Sequence, residues 1–333
     1  MENKIKTLAI ICYSHSIELC LKIKKNTKNK LLMYLLYLIC SPYIFLKWIL
    51  ESIYEYTIGK ILVSKIILKE KNRKFTDELS VVAIVKNESL YIKEWINYYK
   101  TVGVTKFYIY DNESTDNLKE CLKDYIESKL VIYIYFPGKN KQLAAYNDAI
   151  KNYKQNSRYM AFIDCDEFIV PTKNEKLTKT IDNIVSGIPN LGGIGINWAL
   201  YGSSGLEKRV DKPITQVFLN RGQDFAWQNF HVKTICNPRL VKNYISPHFP
   251  IYRLGAWNID SKGKRQYVWY NHDVDFSIIR CNHYFGKSRE EFIQKRSRGM
   301  ADRQSKYDLT KFDEYDLNDI HDDIMLRYAD KLV

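Results

Sequence analysis

The chain has 333 residues, 46% of them hydrophobic, which is enough apolar matter for one large domain, alone or with appendages. Its seven cysteines are scattered without a Cys-x-x-Cys pair, which argues against a disulfide framework and for reduced thiols in a cytoplasmic compartment. The net charge of +13 draws anions, and with no Arg/Lys-aromatic RNA signature the expected partners are phosphates and acidic lipid, with no nucleic acid.

In chain order, the first segment to stand out is residues 31–46, an almost unbroken apolar run that follows Lys22, Lys24, Lys25, Lys28 and Lys30. A helix over those positions reaches about 24 Å, short of the roughly 30 Å hydrocarbon core of a bilayer, and Pro42 would kink it. Three readings stand: a helix lying in or re-entering the membrane, a true span, or burial against the protein's own domain. The lysine collar suits anionic lipid on the cytoplasmic side, and the lack of a small-residue cleavage site speaks against a removable leader. Residues 51–75 read as an amphipathic helix that ends in the charged linker 69–74.

From 79 onward strand and helix patterns alternate. Apolar runs predict strands over 80–85, 106–110, 130–135 and 159–163, with helices near 92–99, 117–127 and 141–154. This order argues for an α/β fold: a mostly parallel sheet flanked by helices. Ligands in such sheets bind at the carboxyl ends of strands, where Lys86–Glu88, Asp111–Asp116 and Asp164–Glu167 all fall. Beyond 171 the regularity declines, with Gly192-Gly193-x-Gly195, aromatic patches and a basic helical C-terminus.

Asp164-Cys165-Asp166-Glu167 carries the chemistry. Unpaired charges resist leaving water, so three acids at the tip of an apolar strand call for a counter-charge. Strand alternation sends Asp164 and Asp166 to one side and Cys165 and Glu167 to the other. Hard oxygen donors suit Mn2+ or Mg2+, which in turn would hold a diphosphate. The alternative is a solvated turn after a core strand.

The stretches Ala83–Glu88, Tyr110–Asp116, Phe162–Pro171, Trp198–Ser204, Phe230–Thr234, Asn282–Phe292 and Tyr328–Leu332 together resemble GT-A glycosyltransferases. The pattern is most similar to family 92, a former domain of unknown function related to family 2. The resemblance covers about 79–332. It implies a Rossmann-like GT-A domain over 79–333, with a nucleotide-binding half at 79–171, an acceptor half at 172–300 and a helical tail at 301–333. Residues 1–75 stay apart as a helical, membrane-associated segment.

The resemblance further implies metal-dependent, inverting transfer of a sugar from a nucleotide diphosphate donor, a UDP-hexose. The acceptor is a hydroxyl of a surface glycan or lipid-linked saccharide. Asp164 and Asp166 match the metal-binding pair, with Asp164 also at the donor diphosphate. Asn87, Glu88 and Asp111 would shape the nucleoside pocket, and Asp116 either joins them or caps the next helix. His283 is either a late metal ligand or a core histidine. Lys287, with Arg289, is placed to meet the diphosphate. Lys141-Gln142 falls where the nucleotide is contacted, although the usual Asn-x-Gly is absent. Trp198 and Trp227 are sugar platforms or core residues. An inverting transfer also needs a base, for which Glu167, Asp224 and Asp273 are the candidates.

Two rivals remain at this level. A haloacid-dehalogenase-like phosphatase also uses strand-Asp-x-Asp, but normally after the first strand. A non-catalytic scaffold would have no physical reason to keep both acids.

Overall fold

The computed structural model describes residues 42–43, 46, 49–50, 52–173, 175–297 and 310–332. Most of the 31–46 run lies outside the described residues. Among those described, no helix is long and apolar enough to cross a membrane.

A π-helical turn, Glu55–Gly59, leads into the helix Lys60–Glu70. The strands that follow are β1 (Asp77–Val85), β2 (Lys106–Asp111), β3 (Val131–Tyr135) and β4 (Ser157–Phe162). Between them lie the helices Ile92–Thr101, Leu118–Cys121, Lys123–Glu127 and Gln142–Tyr153. These four strands pair side by side in the order β3-β2-β1-β4, all parallel, as the alternating pattern predicts. The helix expected over 117–127 is broken into two short pieces.

The second half departs from the expected parallel sheet. After β5 (Glu167–Pro171), the helix Leu177–Val185 and β6 (Leu191–Leu200) come the short β7 (Asn220–Arg221) and β8 (Val232–Cys236). β8 inserts antiparallel between β4 and β6, so the sheet is mixed rather than mostly parallel. β9 (Val241–Tyr244) and β10 (Pro250–Tyr252) form a separate hairpin. β11 (Trp257–Ile259) and β12 (Arg265–Gln266) extend the main sheet beyond β6. β13 (Ile279–His283) runs antiparallel to β5 and parallel to β6.

The two faces of the sheet bury separate cores. Along β1, Leu79, Val81, Ala83 and Val85 join one cluster, while Val82 and Ile84 join the other. The unbroken apolar stretch Val81–Val85 of this strand is therefore covered on both sides. The glycines of β6 serve close packing: a Cβ at Gly195 would lie 1.9 Å from Gln266 Oε1, and one at Gly193 2.3 Å from the Tyr252 hydroxyl.

The segments flanking the sheet are pinned to this body. Glu70, at the end of the first helix, receives Arg239 and the Asn237 amide at 3.0 Å. At the other end, Asp322 binds Arg280 at 2.6 Å and Arg221 at 2.7 Å, and Tyr328 packs edge-on against Tyr98.

Candidate active site

Parallel strands deliver their carboxyl ends to one edge, and there the loops after β1 and β2 are stitched together. Asn87 adopts a left-handed backbone, φ 55°, tolerable for asparagine. Its side-chain oxygen accepts the Thr115 N–H at 2.7 Å, and its own N–H donates to Ser114 Oγ at 3.0 Å. Asp111 accepts the Ser114 N–H at 2.9 Å and the Tyr133 hydroxyl, so its carboxylate braces the loop. Asp116 accepts N–H groups of Ser89 and, at 3.2 Å, Leu118, the capping role weighed for it. Lys287 lies 4.0 Å from Glu88 and over the Tyr91 ring, while Tyr91 hydrogen-bonds Glu291. Ser288 and Glu291 close a capping box that starts the helix Arg289–Ser297.

The four-residue acid segment is a turn, which overturns the alternation expected of it. β4 ends at Phe162 and β5 begins at Glu167, so no strand period orders the side chains between. Asp164 accepts the Gln142 amide at 3.0 Å and the Lys233 ammonium at 2.8 Å. Glu167, expected to face away, instead shares that ammonium at 3.0 Å and accepts the Asp164 N–H. Asp166 faces a different set: His283 Nε2 at 3.7 Å and Lys295. Trp95 and Tyr99 donate to the Glu167 carbonyl, at 3.0 and 3.1 Å, and clamp the turn's backbone from below.

Charge balance explains how so many acids tolerate burial. Lys233 is wholly buried, and although burial opposes its charge, Asp164 and Glu167 hold the ammonium well above its ordinary value. Burial lifts the Glu167 carboxyl to about 7, with Lys233 opposing. Burial also raises Asp166, yet Lys295 and then His283 more than offset it and hold that carboxyl well below the ordinary range.

Among the described residues, no three His, Cys, Asp or Glu side chains form a group able to hold a metal ion. Asp166 and His283 are the pair that comes nearest, with an acid oxygen and an imidazole facing each other. His283 Nδ1 and Glu167 Oε1 are both buried without a hydrogen-bond partner and stand 4.0 Å apart. A metal-ligating imidazole is ordinarily oriented by a carboxylate behind it, and Glu167 stands on that side of His283 just beyond hydrogen-bond distance. Asp166 and His283 thus offer two donors of a kind that suits a hard or borderline divalent cation. Asp164, expected to point at the same ion, is turned toward Lys233.

None of the three base candidates is poised for an acceptor. Glu167 is fully buried. Asp224 is paired with Arg221 at 2.6 Å. Asp273 is exposed between Lys262 and Lys264, whose hydrogen bonds lower its carboxyl to about 2, and a carboxylate so acidic is a feeble base. Lys141 stacks over Phe136 at 5.8 Å, and it is the next residue, Gln142, that reaches the acid turn. Trp198 is buried among His231, His248 and His283, whereas Trp227 is exposed.

Lys233 is the residue that sequence reasoning left without a role. A lysine in an otherwise uncharged strand, Val232–Cys236, was a legible sign that a buried acid awaited it. Its partner was not legible, because the antiparallel insertion of β8 beside β4 joins residues 69 apart in sequence.

Comparison with known proteins bears on the same span. Solved structures give partial likenesses: a UDP complex of S. aureus TarS is 16% identical, covering 49% of this chain and 47% of that one, at TM-score 0.34. Glucosyl-3-phosphoglycerate synthase from Mycobacterium tuberculosis, solved with Mn2+, UDP and glucosyl-3-phosphoglycerate, is 14% identical, covering 61% of this chain and 75% of that one, at TM-score 0.32. Among curated proteins, a family 92 glycosyltransferase of Oryza sativa subsp. japonica is 28% identical over 43% of this chain, and one of Arabidopsis thaliana 29% over 44%. The matched segments span only 24% and 27% of those two relatives. The family model described as glycosyltransferase family 92 matches residues 80–327, which include every element of the carboxyl-edge cluster. The chain belongs to glycosyltransferase family 92.

Proposed function

We propose that the chain is a GT-A glycosyltransferase that moves a hexose from a UDP donor to a hydroxyl of a surface glycan or lipid-linked saccharide, with inversion. The observation that carries this reading is the facing pair Asp166–His283 at the edge where β1, β2 and β4 end. Mn2+ or Mg2+ held by Asp166 and His283, with Asp164 close by, would supply Lewis-acid neutralisation of the departing diphosphate. The chain's own cations work at the same place. Lys295 lies on Asp166 and Lys287 beside Glu88, so two ammonium groups flank the position a diphosphate would take. Asn87, Glu88 and Asp111 shape the nucleoside end. Membership of a glycosyltransferase family supports this reading over the phosphatase and scaffold ones.

The test is to incubate the purified full chain with a panel of nucleotide sugars, with Mn2+, with Mg2+ or with chelator, and measure released nucleotide. Release from a UDP-hexose that needs the ion, and that Asp166→Asn and Asp164→Asn each abolish while the fold persists, is expected. Near-normal rates in either variant would end the assignment.

The same proposal places the protein on the cytoplasmic face of a membrane. Ile53, Ile58, Ile61 and Leu68 are each more than half exposed along the helical segment that precedes the sheet. Anionic lipid under that face is consistent with the upstream lysines. Flotation with vesicles of phosphatidylglycerol, and none with pure phosphatidylcholine, is the expected result.

A further inference from the structure

Six aromatic rings run in a closed circuit that starts and ends at His283. His283 lies 4.3 Å from Trp198, centroid to centroid, and Trp198 stacks on His231 at 4.7 Å. His231 is 6.2 Å from Trp227, and Trp227 meets Tyr315 edge-on at 5.7 Å. Tyr315 is 4.6 Å from Phe285, and Phe285 returns to His283 at 5.5 Å. The members come from β6, the 3-10 turn Trp227–Phe230 with His231 just after it, the end of β13 with the loop that follows it, and the helix Thr310–Tyr315, four separate parts of the chain.

The circuit is buried on one side and open on the other. Trp198 and His283 belong to the interior, whereas Trp227 is 43% exposed and its neighbour Phe225 72% exposed. Large aromatic surface left in water is costly, and exposed rings joined to a buried acid–histidine pair suit a ligand surface. His231 adds polarity at the right place. Its Nδ1 donates to the Gln228 carbonyl at 3.0 Å, and burial keeps the ring neutral, so Nε2 is an acceptor.

We infer that Trp227 and Phe225, backed by this ring circuit, form the acceptor subsite, and that its occupant is a neutral hexose oligosaccharide. The chemistry points there because a pyranose has one face of C–H groups, which stacks on aromatic rings, and a rim of hydroxyls, which His231 Nε2 can receive. Position points there too: the acceptor hydroxyl must meet the donor sugar, and the circuit borders the Asp166–His283 pair assigned to the donor diphosphate. The inference rests on the proposed function only through that placement.

The test is direct binding, without turnover. Calorimetric titration of the full chain with maltotetraose, cellotetraose and laminaritetraose, and separately with UDP, should show saturable binding of at least one tetrasaccharide. Trp227→Ala is expected to weaken that binding about tenfold, and Phe225→Ser, at a more exposed position, about threefold, the order expected of a lost aromatic contact. Trp227→Phe keeps a ring and should recover most of the affinity, which a merely structural role would not require. Equal tetrasaccharide binding by wild type, Trp227→Ala and Phe225→Ser overturns the inference. So does no binding of any of the three by wild type, which would mean the rings are covered by the chain itself. Tetrasaccharide binding without UDP binding supports the subsite while sinking the donor assignment.

Discussion

The two halves of the sheet solve burial in opposite ways. β3-β2-β1-β4 is packed on both faces with apolar side chains, and the few polar groups it buries are small hydroxyls such as Ser80 or strand-end acids such as Asp111. β6, β8 and β13 instead carry charge and amide into the interior: Lys233, Asn197, Arg280 and Asn282 are all buried. Their partners are distant in sequence, as with Lys233 and Asp164 or Arg280 and Asp322. The first half is held by packing that many side chains share, the second by a few buried ion pairs whose removal strands a charge. Single substitutions should therefore be far more damaging in the second half.

The largest effect is expected at Lys233. Lys233→Met leaves Asp164 and Glu167 facing each other without a cation, at a cost of about 4 kcal/mol in urea unfolding, and abolishes sugar transfer. A stable, active variant would show that the buried ammonium is not what orders the acid turn. Asp322→Asn comes next, at about 3 kcal/mol, because Arg221 and Arg280 lose their shared counter-charge. Burial raises the Asp322 carboxyl, but Arg280 and Arg221 more than offset it and leave it far below its ordinary value. A depressed carboxyl stabilises the fold fully above its unfolded pKa of about 4 and loses that contribution as pH falls. Acid melts of the wild type should therefore steepen below about pH 4, and Asp322→Asn should flatten that slope.

Ile109→Val, in the packed interior of β2, should cost only about 1 kcal/mol, measured the same way. If it rivals Lys233→Met, the contrast between the halves fails. The smallest change belongs to Asp273→Ala. Its carboxylate is exposed between two lysines, and stability within about 0.5 kcal/mol of wild type with unaltered transfer is expected. A large loss of turnover there would restore Asp273 as the base.

How far each half was legible follows from the same contrast. The runs at 80–85, 106–110, 130–135 and 159–163 read as strands because continuous apolar sequence needs cover on both faces, and the parallel order followed from the helices between them. Asp164 and Asp166 were found for a local reason as well, three acids at the tip of an apolar strand. Their orientation was misread, because a period of two holds only inside a strand and theirs is a turn. Of the pair Lys141-Gln142, it is Gln142 that hydrogen-bonds the acid turn, at the start of the helix that follows β3.

The amino-acid sequence by itself determined the α/β architecture of residues 79–171, the edge where its loops converge and the acids that gather there. These depend on patterns spanning a few residues, which short-range sterics and burial impose. Only the tertiary structure decided that β8 enters antiparallel, that its lysine neutralises Asp164 and Glu167 together, and that rings from four distant segments meet beside His283. Those are pairings across long loops, and the free energy that selects them belongs to the assembled interior, where an unpaired charge costs most.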